Sequence, residues 1–335
     1  MPANLTPQYH EAERKFKEAK TAEEKLQCLR EMFAVIPKHK GTEKLQADLK
    51  RRISKLQDES QKAHKSGRRP YAFAVEREGA AQMALVGPPN SGKSSILRAL
   101  TRAEPEVAPY PFTTRMPLPG MMQYEDIQIQ LVDLPAVSET GWEQWASQIV
   151  RGADAVLVVL DLSSDAVLEE MEMLEAQLAQ RGIHLAGADS TPELPSEAAV
   201  RKALVVGNKS DLRPDPEVAE LLRAALSDRR DGLGRLDLVL FSAAGAADTA
   251  GLRQSLFDLA GIIRVYTKIP GRKPDMDRPF VLPAGSTLME VAALVHKDFV
   301  ASLKFARIWG SGAFEGQCVQ KDHVMRDRDV VELHL

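Results

Sequence analysis

Eight consecutive residues, Gly87-Pro88-Pro89-Asn90-Ser91-Gly92-Lys93-Ser94, set two glycines, a lysine and a hydroxyl at the spacing G-x-x-x-x-G-K-[ST]. Glycines let successive backbone N–H groups turn inward around an anion. A helix beginning here adds partial positive charge at its N-terminus. Lys93 can reach the β- and γ-phosphates of a nucleoside triphosphate. The Ser94 hydroxyl can ligate a Mg²⁺ that those phosphates share, and Ser95 follows it in the same nucleotide-binding turn. The alternative is a Gly-rich turn ahead of an ordinary helix. The apolar run Gln82 to Val86 before the motif and the helical stretch 94–103 after it favour the phosphate loop.

A phosphate loop does not choose a base. Asn208-Lys209-Ser210-Asp211 matches N-K-x-D directly after the strand-like run Ala203 to Val206. The Asp211 carboxylate can accept hydrogen bonds from guanine N1 and N2, which adenine cannot offer. Asn208 would brace the loop, and the Lys209 stem would cover the face of the base. Phe241-Ser242-Ala243-Ala244 follows the run Leu236 to Leu240, and the N–H groups of Ser242, Ala243 and Ala244 can face guanine O6. Asp133, after the run Ile127 to Val132, suits a partner of the Mg²⁺ at one remove. Asp133-Leu134-Pro135-Ala136 is close to D-x-x-G, with Ala136 in place of the glycine. Alanine keeps an N–H for the γ-phosphate but has a less free backbone. In Tyr110-Pro111-Phe112-Thr113-Thr114, either Thr113 or Thr114 can ligate Mg²⁺ when a γ-phosphate is present, or serve as a plain loop residue. The order along the chain is that of a GTP-hydrolysing switch, with Lys93, Thr113 and Thr114 as its catalytic candidates.

These loops need a scaffold. Residues 80–262 alternate apolar runs, including Ala155 to Leu160, with helical stretches at 94–103, 142–151, 165–181, 215–229 and 249–260. That alternation predicts an α/β fold, with a mostly parallel sheet covered by helices on both faces. Apolar residues at Leu26, Leu29, Phe33 and at Leu45, Leu49, Ile53, Leu56 recur at spacings of three and four, predicting helices over 8–35 and 42–66, broken at Pro37 and Gly41. Residues 263–335 differ. Strands are expected at Val265 to Thr267, Pro279 to Leu282, Phe305 to Trp309 and Val330 to His334, with a helix at Thr287 to Lys297. Asp189 to Ser196 reads as a surface loop. The expected divisions are a basic helical hairpin at 1–70, a P-loop domain at 71–262 and a small α+β domain at 263–335.

Composition is that of an ordinary globular chain: 335 residues, 44% apolar and 27% charged, with a net charge of −3. The charge is uneven. Residues 1–70 carry 17 Lys and Arg against 10 Asp and Glu. A basic arm can bind RNA, or it can be a solvated helix face, and Lys50-Arg51-Arg52 carries the same two readings. Cys28 and Cys318 have no ligand spacing, which argues against a disulfide framework or a zinc site. No apolar run is long enough for a signal peptide or a membrane span, so the expected location is the cytoplasm, without a membrane partner. Trp309, in an alternating strand, is expected in the core. His296 and His323 are expected at or near the surface. Trp142 and Trp145 would report nucleotide state or pack a helix.

Together the motifs resemble the Obg-type GTPases, in particular the developmentally regulated GTP-binding protein group, whose Y-x-F-T-T and D-L-P-G are similar to residues 110–114 and 133–136. Ile263-Arg264-Val265-Tyr266-Thr267-Lys268, His296-Lys297-Asp298-Phe299, Arg307-Ile308-Trp309-Gly310-Ser311 and Lys321-Asp322-His323-Val324 resemble the TGS domain of that group. The resemblance covers about residues 70–335 and implies a β-grasp fold for the C-terminal domain. It also implies a link to ribosomes or another RNA-containing assembly. The small domain usually inserted in this group's core has no room between Glu139 and Asp154. Asn90 resembles the asparagine of potassium-activated GTPases, which implies K⁺ beside Mg²⁺ and stimulation by it. Its alternative is a residue that only braces the loop. Val137 stands where a water-orienting glutamine would follow, so intrinsic hydrolysis should be slow; an unassisted Ras-type rate is about 10⁻⁴ s⁻¹. The expected partners are GTP and GDP, the ribosome or RNA, and a regulatory protein. Two rivals stand beside a slow GTPase: a nucleotide-gated scaffold without turnover, and an RNA-binding protein for which nucleotide is only structural.

Overall fold

A computed structural model describes residues 75–101, 116–139, 141–188, 190, 198–212, 216–229, 233–244, 249–311 and 314–334, with 28–29 and 32–33 near the N-terminus. The chain divides into two compact units, residues 1–72 and 73–335. The expected hairpin at 1–70 lies outside the described residues, apart from helical residues at 28–29 and 32–33. Switch candidates 110–114 and most of the loop at 189–196 also lie outside them.

The second unit holds two sheets. The first begins with β1 (Ala81–Val86), whose run AQMALV is buried throughout. Helix α1 (Lys93–Leu100) follows, then a hairpin of β2 (Leu118–Tyr124) and β3 (Ile127–Asp133). Next come α2 (Gln144–Gly152), β4 (Ala155–Asp161), α3 (Val167–Ala179), β5 (Ile183–Ala186) and β6 (Ala199–Asn208). The domain closes with α4 (Glu217–Ser227), β7 (Asp237–Leu240) and α5 (Ala250–Ala260). The strand order is β2-β3-β1-β4-β6. Both β5 and β7 pair with β6, at its first and second halves respectively. All pairings are parallel except β2 with β3.

Period-two alternation sends side chains of β1 to both faces. Ala84 and Val86 join α2, α3 and α4 in one core, while Met83 and Leu85 join α1 and α5 in another. The expected two-faced α/β architecture is therefore present. Between Leu134 and Asp154 the described chain holds a loop and α2.

Gly261 ends α5 in the left-handed region, at φ 60°, where a side chain would be strained. The next residue opens β8 (Ile262–Thr267). Then follow β9 (Asp275–Pro283), α6 (Leu288–Val295), α7 (Lys297–Ser302), β10 (Phe305–Trp309), β11 (Gln317–Val319) and β12 (Asp329–His334), in the order β11-β10-β12-β8-β9. Leu288, Val291 and Ala292 of α6 pack against Val265, Ala306 and Ile308. The helix expected over Thr287 to Lys297 stops at Val295, because His296 is fully extended and the chain restarts as α7. Trp309 corrects a core expectation: Ala306 and Ile308 point inward, and Trp309 shares the outward side with Phe305 and Arg307, under the Lys268 ammonium at 4.1 Å from its ring centre.

Candidate functional site

The predicted site residues that are described gather at the carboxyl ends of β1, β3, β6 and β7, the edge where open α/β sheets bind ligands. From β1 the chain turns through Gly87, Pro88, Pro89, Asn90, Ser91 and Gly92 into α1. Neither glycine tolerates a side chain. A Cβ on Gly87 would lie 2.2 Å from the Val159 carbonyl oxygen of β4, and one on Gly92 would lie 2.1 Å from Asn208 Nδ2. Gly92 also takes φ 91° as it caps α1. The Ser91 hydroxyl donates to the Pro88 carbonyl at 3.0 Å, and Asn90 is exposed with φ 60°. Lys93 is folded under the loop, donating to the carbonyls of Gly87 at 3.1 Å and Pro88 at 3.0 Å. Burial pushes its ammonium down, opposed by the Asp133 charge.

Beside Lys93, the Ser94 hydroxyl donates to Asp133 Oδ2. The other oxygen, Oδ1, is buried and has no hydrogen-bond partner among the described residues. Burial pushes the Asp133 carboxyl up, against the Ser94 hydrogen bond and the Lys93 charge. A hydroxyl and a carboxylate with an orphaned oxygen form a hard-oxygen set, which suits a divalent cation such as Mg²⁺. Past Asp133, the chain is tied to its neighbours by two bonds. Val137 N–H donates to the Gly87 carbonyl at 3.0 Å, and Trp142 Nε1 donates to the Pro135 carbonyl at 3.0 Å. The Val137 side chain is fully buried in the core, and Ala136 is half-buried.

At the far side, β6 ends on Asn208. Its Nδ2 donates to the Ser91 carbonyl at 2.9 Å, and its Oδ1 accepts from Ala243 N–H at 3.2 Å. One buried amide therefore joins three loops. Ser210 N–H to Phe241 O at 3.2 Å adds a backbone link. Asp211 is exposed, while Ser242 is half-buried and Ala244 lies at the surface. Lys209 Nζ donates to Asp161 Oδ2 at 2.5 Å. Asp161 was not singled out by sequence reasoning. The available signal was an acidic residue ending a buried apolar strand at the ligand edge.

Two families match the chain: one described as a 50S ribosome-binding GTPase, over residues 82–187, and the TGS domain, over 263–335. An uncharacterized GTP-binding protein of Methanocaldococcus jannaschii is 28% identical, spanning 93% of this chain and 92% of that protein. The developmentally-regulated GTP-binding protein 1 of Xenopus laevis is also 28% identical, spanning 85% and 91%. The chain is a P-loop GTPase with a TGS domain, homologous to the developmentally regulated GTP-binding proteins. Among solved structures, the YchF GTPase of Schizosaccharomyces pombe shares the fold of this GTPase, with a TM-score of 0.52 at 14% identity over 77% of this chain and 99% of that one. No helix among the described residues is long and apolar enough to cross a membrane.

Proposed function

We propose that this GTPase binds GTP with Mg²⁺, hydrolyses it to GDP and phosphate, and uses the change as a switch. The observation that carries the reading is the Asn208 side chain, which fixes the phosphate loop and the two base loops as one site. In this reading the N–H groups from Asn90 to Ser95, set by the turn through Gly87, Pro88 and Pro89, cradle the phosphates, and Lys93 leaves its carbonyl partners for the β- and γ-phosphates. Asp211 selects guanine, the Lys209 stem covers the base, and Ser242 to Ala244 face O6. Ser94 and Asp133 hold Mg²⁺, with Thr113 or Thr114, and Ala136 N–H meets the γ-phosphate. The bound ion would neutralise charge shared by the β- and γ-oxygens. Water attacks phosphorus in line, the bond to the bridging oxygen breaks, and Lys93 balances the charge left on the leaving group.

Val137 is buried, so no side chain at that position orients water, and turnover is slow without K⁺ held near Asn90 or a regulatory partner. The description of the family matched at 82–187 supports a ribosomal or RNA-containing partner. Residues 71–262 form the catalytic domain, 263–335 the TGS domain and 1–70 a basic arm. The free thiols Cys28 and Cys318 suit a reducing cytoplasm. Val137 equally favours a second reading, a nucleotide-gated scaffold with negligible turnover.

Phosphate release from GTP and ATP, in KCl and in NaCl, separates these. The switch reading expects GTP turnover above ATP, raised by K⁺ and weakened in Asp211→Asn. Equal rates in the two salts remove the role of K⁺. Tight GTP binding without turnover in either salt selects the scaffold.

A further inference from the structure

We propose that Asp161 is a positioning residue of the guanine site, holding the Lys209 ammonium so that the lysine stem stays laid out where the base binds. This deepens the guanine-nucleotide reading above and rests on it. Strand β4 ends on Asp161, in register with Asn208, and Leu162 N–H donates to the Asn208 carbonyl at 3.0 Å. The sheet itself therefore carries the carboxylate to the base loop.

Both oxygens of Asp161 are engaged. Oδ1 accepts from Ser163 N–H at 2.9 Å and from the Ser163 hydroxyl at 2.6 Å. Oδ2 accepts from Lys209 at 2.5 Å. Ser163 thus fixes the carboxylate that fixes the lysine. The pair is partly buried, with Asp161 16% and Lys209 30% exposed, so water screens it less than a surface pair. Although burial pushes the Asp161 carboxyl up, the bonds from Lys209 and Ser163 outweigh it and hold the group below its ordinary value.

Lys209 needs the support. Its φ is 59°, a left-handed conformation that a non-glycine residue keeps only where its surroundings impose it. A lysine side chain is also among the costliest to order. Tethering its far end orders the stem before nucleotide arrives, so binding does not carry that cost. A purely structural role, stapling the ends of β4 and β6, would leave Asp161 acting on stability without acting through Lys209.

The test uses the full chain in Mg²⁺ buffer and the fluorescent nucleotide mant-GDP. Kd and release rate are measured for wild type, Asp161→Asn, Lys209→Met and the double variant, with thermal unfolding of each nucleotide-free protein. Asp161→Asn is expected to raise Kd about tenfold, as befits a lost charge-assisted bond, mostly through faster release. On the Lys209→Met background the same change is expected to move Kd less than about twofold, since the two act as one unit. An Asp161→Asn Kd within about twofold of wild type overturns the proposal, and so does full multiplication of the two effects. If Asp161→Asn does not fold, Ser163→Ala decides. It keeps the ion pair and the backbone N–H bond to Oδ1 but removes the hydroxyl that helps hold the carboxylate, and is expected to release mant-GDP about threefold faster; unchanged release overturns the proposal. A wild type that binds no mant-GDP, or binds mant-ADP equally well, marks failure of the guanine reading itself, and the Asp161 proposal falls with it.

Discussion

Arg264, in the first strand of the TGS sheet, reaches the GTPase domain and places Nη1 2.7 Å from Asp126 Oδ1 at the tip of the β2–β3 hairpin. The guanidinium is 2% exposed. It also bonds Glu125 beside Asp126 and Asp327 of its own domain, and lies over the rings of Phe257 and Tyr124, 4.9 and 5.5 Å from their centres. Burial alone would lower its pKa, and the three carboxylates outweigh that. Tyr266 donates to Asp126, and Arg328 closes on Glu125. With Gly261 as the only residue between α5 and β8, this cluster makes the TGS domain an extension of the hairpin that runs back to Asp133. Arg264→Met leaves acidic groups facing one another. The expected loss is about 3 kcal/mol, the low end for breaking a buried pair, since the carboxylates keep some water. Urea unfolding checks it. A single transition should split in two as the TGS domain uncouples, and an unchanged single transition would refute the coupling.

The same cluster sets a pH window. Bonds from Arg328 and Arg264 pull the Glu125 carboxyl down. For Asp126, burial pushes upward, but bonds from Tyr266 and Arg264 prevail and its pKa falls. Carboxylates with depressed folded-state values contribute stability above their ordinary range of 4.5 and 3.8, and that contribution is lost as pH falls through the lower folded values. Tyr266 runs the other way. Burial, then Asp126, pushes its phenol up from 10.0 to about 12, so its contribution is whole below 10 and fades toward 12. Stability by urea unfolding across pH is expected to fall at both ends. Asp126→Asn should flatten the acid limb and Tyr266→Phe the alkaline one.

The phosphate loop was legible because its chemistry admits few residue types at fixed spacing, and β1, β3, β4, β6 and β7 because each carries a concentration of apolar residues. Strand β2 was not, because Pro119 and Gly120 interrupt its pattern. Neither were β5, four residues long, and β11, three residues long, since so few residues carry no period. Trp309 misled because alternation fixes two faces without saying which is inward, and here small Ala306 and Ile308 take the core. The Arg264 cluster joins residues 138 and 139 positions apart. No local pattern marks such partners until the chain is folded.

Trp142 offers a built-in reporter. Its indole N–H is bonded to the Pro135 carbonyl in the segment after Asp133, and the Arg181 guanidinium lies 5.9 Å from its ring centre. If that segment shifts when a γ-phosphate is bound, the indole loses or remakes this bond and its emission changes. Exchanging GDP for a non-hydrolysable GTP analogue is expected to change tryptophan fluorescence in wild type, in Trp145→Phe and in Trp309→Phe, but not in Trp142→Phe. Trp142→Phe should cost about 1–2 kcal/mol, mostly from the Pro135 carbonyl left unpartnered.

Gly92→Ala tests how tightly the two halves of the nucleotide site are built together. The added methyl group meets the Asn208 amide at 2.1 Å, well inside contact, and the residue is asked to keep φ 91°. The backbone term is about 1–3 kcal/mol. The amide cannot move aside without breaking its bonds to Ser91 and Ala243, so relief of the clash unties the phosphate loop from the base loops. The variant is therefore expected to fold, with a circular dichroism spectrum like wild type, yet to bind mant-GDP at least about tenfold more weakly, matching the loss of one or two bonds of about 1 kcal/mol plus strain. Gly251→Ala is the control. Among the described residues, its chain neighbours and its own helix backbone aside, no atom lies within 4 Å of the place its methyl group would take, and the position sits inside α5, so nucleotide binding should be unchanged. Equal affinity in Gly92→Ala and Gly251→Ala would show that the close approach of Asn208 to the loop does not govern the site.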